Sequence, residues 1–272
     1  MIDYHNHTKL CKHAEGEVFE YVEKAITLGI TELAFTDHMP LPGDFDIAHR
    51  MSEKEMDIYA TWVKKAQEQY SEIKILFGIE ADYYEGFEEY TEKFLSQYEF
   101  DLVIMSIHFL KSWPVGNWVF NYDFPNRSLK EIYIEYLQTM IEGIKTGLYD
   151  IVGHLDIVKT VGNSMTEIVP DKLNQVMKEI NNQKMVVEFN SSGYRKKIGE
   201  PYPSFEMLDI IKNFKIPVCV GSDAHAPNQV GLKISEVYKT MSNKGIEFIT
   251  LFEKRKQKRI SMFNMLVKNT IK

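Results

Sequence analysis

Two rhythms of apolar and polar positions alternate along the 272 residues. Short β-rich runs occur at 1–5, 32–36, 74–79, 101–107, 150–153, 184–189 and 216–220. Between them apolar residues recur at helical spacing, as in Val18, Val22, Ala25 and Ile26, and in Ile132, Tyr136, Met140 and Ile144. Helix-start signals agree. Ser52 has Glu55 three residues on, and Pro170 with Asp171 opens a pattern from Lys172 to Ile180. Alternating β and α units imply a parallel sheet with helical crossovers, which leaves a closed βα barrel or a doubly wound sheet. No linker, low-complexity segment or repeated motif divides the chain, so one domain over 1–272 is expected. The run LFEKRKQKRI near the C-terminus reads as the polar face of a terminal helix.

The residues closing each β run carry the chemistry. In order they are His5-Asn6-His7, Asp37-His38, Glu80 with Asp82, His108, His154 with Asp156, Glu188 with Asn190, and Asp223 with His225. With His13 in the first loop, seven of the eight histidines belong to this set, and only His49 lies outside it. A single histidine is ordinarily a core or surface residue. In a βα barrel, however, all strand carboxyl ends share one face, so these residues would converge from distant positions. Imidazoles with carboxylates suit zinc, iron and manganese. In His-x-His the two rings project to one side of a strand and can reach the same ion.

Composition narrows the partners. A formal charge of −7 argues against a phosphate-backbone footprint, so no nucleic acid is expected. No stretch approaches the roughly 20 apolar residues needed to span a bilayer, and the first residues do not read as a leader. A cytoplasmic protein with no membrane partner is expected. Cys11 and Cys219 lie far apart and signal neither a disulfide framework nor a zinc ribbon.

The stretches HNH at 5–7 with His13, TDH at 36–38, GIEAD at 78–82, SIHF at 106–109, GHLD at 153–156 and SDAH at 222–225 resemble the polymerase and histidinol phosphatase (PHP) superfamily. TDHMPLP, SIHFLKSW, FNSSGYRK and YPS are similar to its stand-alone histidinol-phosphate phosphatases. The resemblance implies a distorted (β/α)7 barrel with a trinuclear centre of divalent transition-metal ions (Zn, Mn or Fe) at the carboxyl ends of the strands. Carried over residue by residue, the first ion takes His5, His7, Glu80 and Asp223. Glu80 bridges to a second ion held by His108 and His154, and His13, His38 and His225 hold the third. Glu80, Asp223 and His225 are the residues expected to act in catalysis.

The implied activity is hydrolysis of a small phosphate monoester, L-histidinol phosphate. A metal-bridged water loses its proton near neutral pH, so no protein nucleophile is needed. The chain indeed has no Walker GxxxxGK[ST], no GxSxG elbow and no thiol-phosphatase loop. For the phosphate, Arg195 is the favoured anchor because guanidinium binds its oxygens in a bidentate way, with Lys159 as a further cation. Lys196 and Lys197 read as solvated charges. For the amine and imidazole of such a substrate, the loop after strand two offers Asp44, Phe45 and Asp46. The loop after strand four offers Trp113, Trp118 and Phe120, and Asp44 and Trp118 are the candidate contacts. Asp37 and Asp156 are expected to orient imidazoles, and His49 to be a loop residue. The rival readings are a phosphoesterase of other specificity on the same centre (nuclease, nucleotide phosphodiesterase or phosphotyrosine phosphatase) and a non-catalytic regulatory domain.

Overall fold

Seven runs of β-branched and aliphatic residues lie side by side as parallel strands in the computed structural model, which describes residues 1–120, 126–161 and 164–262. They are β1 (Ile2–Asp3), β2 (Glu32–Phe35), β3 (Lys74–Asp82), β4 (Leu102–Ser106), β5 (Ile151–Val152), β6 (Val186–Asn190) and β7 (Val218–Gly221), hydrogen-bonded in chain order. The sheet then curls back on itself. Tyr4 N donates to Val220 O at 3.0 Å and His7 N to Ala224 O at 2.9 Å, which brings β1 beside β7. Asp3 fastens the same seam, accepting from Ser222 N at 2.8 Å and Ser222 Oγ at 2.6 Å. The result is a distorted (β/α)7 barrel, in which β1 and β5 contribute only two residues each to the ladder.

Helices cover the outside. α1 (Val18–Thr27), α2 (Met56–Gln69), α3 (Glu88–Leu95) and α4 (Leu129–Lys145) follow the first four strands. α5 (Met165–Ile168) and α6 (Pro170–Asn182) follow β5, with α7 (Met207–Asn213) and α8 (Ile234–Asn243) after β6 and β7. The longer ones present one apolar stripe to the sheet, as α1 does with Val18, Tyr21, Val22 and Ala25. The expected start signals form: Ser52 and Glu55 make a reciprocal capping box, and Pro170 occupies the first turn of α6. Because helices cover one face of the strands and the barrel interior the other, the strands are buried on both sides, and the buried hydrophobics form one continuous cluster.

The C-terminal basic run is not a helix. Phe248–Glu253 and Lys256–Ser261 form an antiparallel hairpin, β8 and β9, which turns at Lys254 and Arg255 with φ of 48° and 63°. The charges that suggest a helical polar face lie along an exposed β9, while Ile249 and Phe252 on β8 are buried. Phe252 meets Tyr4 edge-on at 6.2 Å between ring centroids. The hairpin lies across the amino ends of the strands. Lys254 N and Arg255 N bond Asp101 just before β4, and Gln257 Nε2 bonds Lys184 O near β6 at 2.7 Å. Arg255 also forks onto Asp150 at 2.9 and 3.1 Å and onto Leu148 O at 2.7 Å, just before β5. Arg255→Ala removes that fork, and because water reaches this site and Val103 N still bonds Asp150, it is expected to destabilise the fold by about 0.5–1.5 kcal/mol. Urea unfolding of the variant beside the parent chain measures this, with no change expected in events at the opposite mouth.

Candidate metal centre

β3 carries the central group. It extends to Asp82, past the run read from sequence, so Glu80 and Asp82 are strand residues separated by two, on the same side of β3. Glu80 is buried. Its carboxylate lies 2.7 Å from His38 Nδ1, 3.0 Å from His154 Nε2, 3.5 Å from His5 Nε2, and 3.7 Å from both His7 Nε2 and His108 Nε2. Ser106 Oγ, at the end of β4, donates to it at 2.5 Å. Burial opposes charge on this carboxylate, yet the imidazoles of His38, His5 and His108 outweigh it and hold Glu80 well below the usual carboxylate range.

The other expected ligands gather around this point. Asp223 Oδ1 lies 3.1 Å from His7 Nε2, 3.5 Å from His225 Nδ1 and 3.9 Å from His5 Nε2. His225 stacks on His7 at 4.0 Å and approaches His13 at 4.6 Å, while His13 is 5.5 Å from His38. All nine positions therefore share the carboxyl-end mouth. Four triads among them place a donor atom of each member within 4.8 Å of the others: His5, Glu80 and His154; His5, His7 and Asp223; His7, His38 and His225; and, with the buried Cys11, His13 and His225. Burial lowers the pKa of His38 to about 4, and burial with the neighbouring His7 holds His225 well below its usual value. For both rings the shift favours the neutral form that binds a metal, whereas the carboxylates around His5, His7 and His108 outweigh burial and shift those rings upward.

The backbone at the mouth is strained. Asp223 has φ of 53° and His154 of 22°, unfavourable for residues with a Cβ. Gly221 is required by close approach, since a Cβ there would lie 2.2 Å from Glu188 Oε1 and 2.5 Å from His5 Cβ.

Carboxylates that the sequence reading left without a role position the ring of imidazoles. Glu188 on β6 lies 2.8 Å from His5 Nδ1 and accepts from His154 N at 2.9 Å. Asp82 lies 2.9 Å from His108 Nδ1 and accepts from His108 N at 3.1 Å. Period-two spacing was the available signal: Asp82 and Glu188 stand two residues from Glu80 and Asn190 on their strands. Asp37 does approach an imidazole, with Oδ1 3.5 Å from His7 Nδ1, and it also accepts from Thr8 N at 3.1 Å and His38 N at 2.8 Å. Asp156 orients no imidazole. It accepts from Ser204 N at 2.9 Å and pairs with Lys159 at 3.2 Å, because the turn after β5 carries it toward the 200–204 loop.

The expected substrate contacts divide. Arg195, half-buried after β6, donates to Ser222 O at 2.8 Å and Asp223 O at 2.6 Å, which uses two of its five N–H groups on the loop bearing Asp223. Lys159 is buried, donates to Pro201 O at 2.7 Å and lies 3.0 Å from Glu200. Trp118 forms a wall of the mouth, 4.7 Å from the His108 ring, 6.0 Å from His38 and 5.5 Å from His49. His49 is thus no isolated loop residue, for its Nδ1 sits 2.7 Å from Asp46. Asp44 is exposed at the tip of its turn.

A family model described as the PHP domain matches residues 3–192, about 70% of the chain. The chain belongs to the PHP domain family. Among curated relatives, a Deinococcus radiodurans protein named "Probable histidinol-phosphatase" is 32% identical, covering 94% of this chain and 98% of its own. The histidinol-phosphatase of Bacillus subtilis is 30% identical, covering 84% of this chain and 95% of its own. A solved structure of histidinol phosphate phosphatase from Lactococcus lactis, complexed with zinc, L-histidinol and phosphate, superposes with a TM-score of 0.78 at 22% identity, covering 94% and 98%. In this PHP domain the clustered imidazoles and carboxylates are the donor set of a divalent-metal site.

The close approach at Gly221 predicts that Gly221→Ala displaces Glu188 or His5, at a cost of about 1–3 kcal/mol from overpacking. Thermal unfolding together with manganese titration should show lowered stability and weakened binding in one variant.

Proposed function

We propose that this PHP domain is a metal-dependent phosphoric monoester hydrolase acting on L-histidinol phosphate to give L-histidinol and phosphate. The observation that carries the reading is the buried Glu80 carboxylate among five imidazoles at the carboxyl mouth of the barrel. Relatives named histidinol-phosphatase over nearly the whole chain supply the substrate.

The residues present fit metal ions. Among the described residues, His5 Nε2, His7 Nδ1 and Nε2, His38 Nδ1, Glu80 Oε2 and His154 Nδ1 are buried and make no aligned hydrogen bond. Lone pairs left unsatisfied in a protein interior are costly, and cations held between them remove that cost. We assign three ions: one to His5, His7, Glu80 and Asp223, a second to Glu80, His108 and His154, and a third to His13, His38 and His225. Bound there, the ions would supply Lewis acidity to the phosphoryl oxygens and lower the pKa of water.

The chain supplies the rest. Glu80 offsets positive charge at the centre and, as an acceptor for Ser106, keeps one orientation. Arg195 and Lys159 are the cations assigned to the phosphate. Arg195 keeps three N–H donors beyond those on Ser222 and Asp223 for this task, and the Glu200 partner of Lys159, 39% exposed at its side chain, is the group an anion would replace. Trp118 offers a flat face for the substrate's imidazole, and Asp44, exposed at the tip of its turn, is the loop carboxylate assigned to its amine.

Steady-state assays on histidinol phosphate, with a panel of other monoesters, diesters and phosphopeptides, test the reading. Turnover should require manganese or zinc and vanish on chelation. A chain that turns over diesters or phosphopeptides in preference overturns the substrate assignment, and activity indifferent to chelators overturns the metal. Glu80→Gln should abolish most turnover and release at least one ion, read by elemental analysis. Arg195→Ala should lower kcat/KM by roughly 30-fold to 1,000-fold, the effect of about 2–4 kcal/mol of charge-assisted bonding. Arg195→Lys should recover part of it, because an ammonium keeps the charge without the planar fork.

A further inference from the structure

Arg50 is among the largest fully buried side chains, and a guanidinium out of contact with water is costly unless its charge and donors are answered. Three acceptors answer Nη1 and Nη2, while the buried Nε has no partner among the described residues. Nη1 donates to Met39 O at 2.9 Å, and Nη2 donates to Asp46 Oδ2 at 3.1 Å and to Asp82 Oδ2 at 3.0 Å. Its plane lies against the Phe109 ring, 5.9 Å from the centroid. The two carboxylates it joins lead to different walls of the mouth. The other oxygen of Asp82 accepts from His108 N at 3.1 Å and stands 2.9 Å from its Nδ1, and the other oxygen of Asp46 meets His49 Nδ1 at 2.7 Å. His108 and His49 both stand against Trp118.

We infer that Arg50 is a positioning residue for the hydrolysis, a clamp that fixes the His108 imidazole through Asp82 and the His49–Trp118 wall through Asp46. The inference rests on the phosphatase reading above. One cation thereby couples a metal-facing ring to the loop that borders the substrate. Without the clamp, Asp82 can rotate and His108 loses its fixed orientation. Carboxylate support of this kind is worth about 10-fold to 100-fold in metal affinity or activity. Lysine cannot replace it, since one ammonium on a flexible stem does not span two carboxylates and a carbonyl in a plane.

The test compares Arg50→Lys, Arg50→Met and Asp82→Asn with the parent protein. Manganese affinity is measured by competition with a fluorescent chelator, kcat and KM on histidinol phosphate, and folding by circular dichroism and thermal unfolding. Arg50→Lys is expected to fold, to bind its weakest manganese about 10-fold to 100-fold less tightly, and to lose kcat by a similar factor that excess manganese partly restores. Asp82→Asn should weaken the same manganese step, which keeps the test open if Arg50→Met fails to fold. Lys197→Ala, an exposed cation, serves as the control and should match the parent. Folded Arg50→Lys and Asp82→Asn proteins with parental manganese affinity and kcat overturn the inference. A parent chain that binds manganese but hydrolyses no monoester overturns the functional reading instead, while the manganese arm still decides whether Arg50 supports His108.

Discussion

A carboxylate that must stay charged in a dry interior is the constraint on which the rest of the molecule depends. Glu80 has 1% of its side chain exposed, and burial alone would drive it to the neutral form. The imidazoles of His38, His5 and His108, with a hydrogen bond to His154, prevent this, and they must arrive from the ends of β1, β2, β4 and β5 at the right height. Parallel strands in chain order deliver them to one mouth, and period-two alternation selects which residues look inward. The seam between β1 and β7 matters for the same reason. Asp3 grips Ser222, and the next residue is Asp223, so the bond that closes the barrel also positions a member of the cluster.

Supporting carboxylates explain why the imidazoles keep their orientation without filling the space with protein hydrogen bonds. Glu188 and Asp82 each hold a ring nitrogen from one side and a main-chain N–H from another, and Arg50 holds Asp82 in turn. Such a network is stable only when nearly every member is satisfied. Most of the atoms left over, on His5, His7, His38, Glu80 and His154, are concentrated at the centre of the mouth. Strained backbone at His154 and Asp223 is located there too, and the neighbouring strands hold it in place.

The two mouths of the barrel divide the labour. At the amino ends, Phe252 and Ile249 seal the interior and Arg255 ties the hairpin to the residues before β5. The carboxyl ends spend their residues on polar groups that contribute little to the hydrophobic core. Loops bearing Asp46, His49 and Trp118 border that end, and the aromatic contacts among Phe109, Trp118 and Phe120 give them their own packing.

Much of this was legible in the chain itself. Strand positions follow from β-branched runs, helix starts from Ser52 with Glu55 and from Pro170, and the polar residues ending the strands from the rule that parallel strands share a carboxyl face, while the choice of nine at the mouth came from the resemblance to a family. What periodicity could not decide was barrel against open sheet, because both alternate β and α alike; the resemblance to a family named the barrel, and the β1–β7 bonds close it. The terminal basic run misled for a related reason: residues charged at nearly every position carry no period, so only contact of Ile249 and Phe252 with the barrel made it a hairpin. Asp156 and Lys159 were placed by a turn whose direction no local pattern encodes. Arg50 stayed invisible because an arginine in a polar loop reads as solvated, and its burial exists only once Asp46, Asp82 and Met39, brought together from β3 and its preceding loops, enclose it. Local sequence thus determined which residues could do chemistry, since ligand type and strand parity are properties of short stretches. Tertiary structure decided which of them touch, since the distances between groups dozens to hundreds of residues apart are set by barrel closure and packing alone.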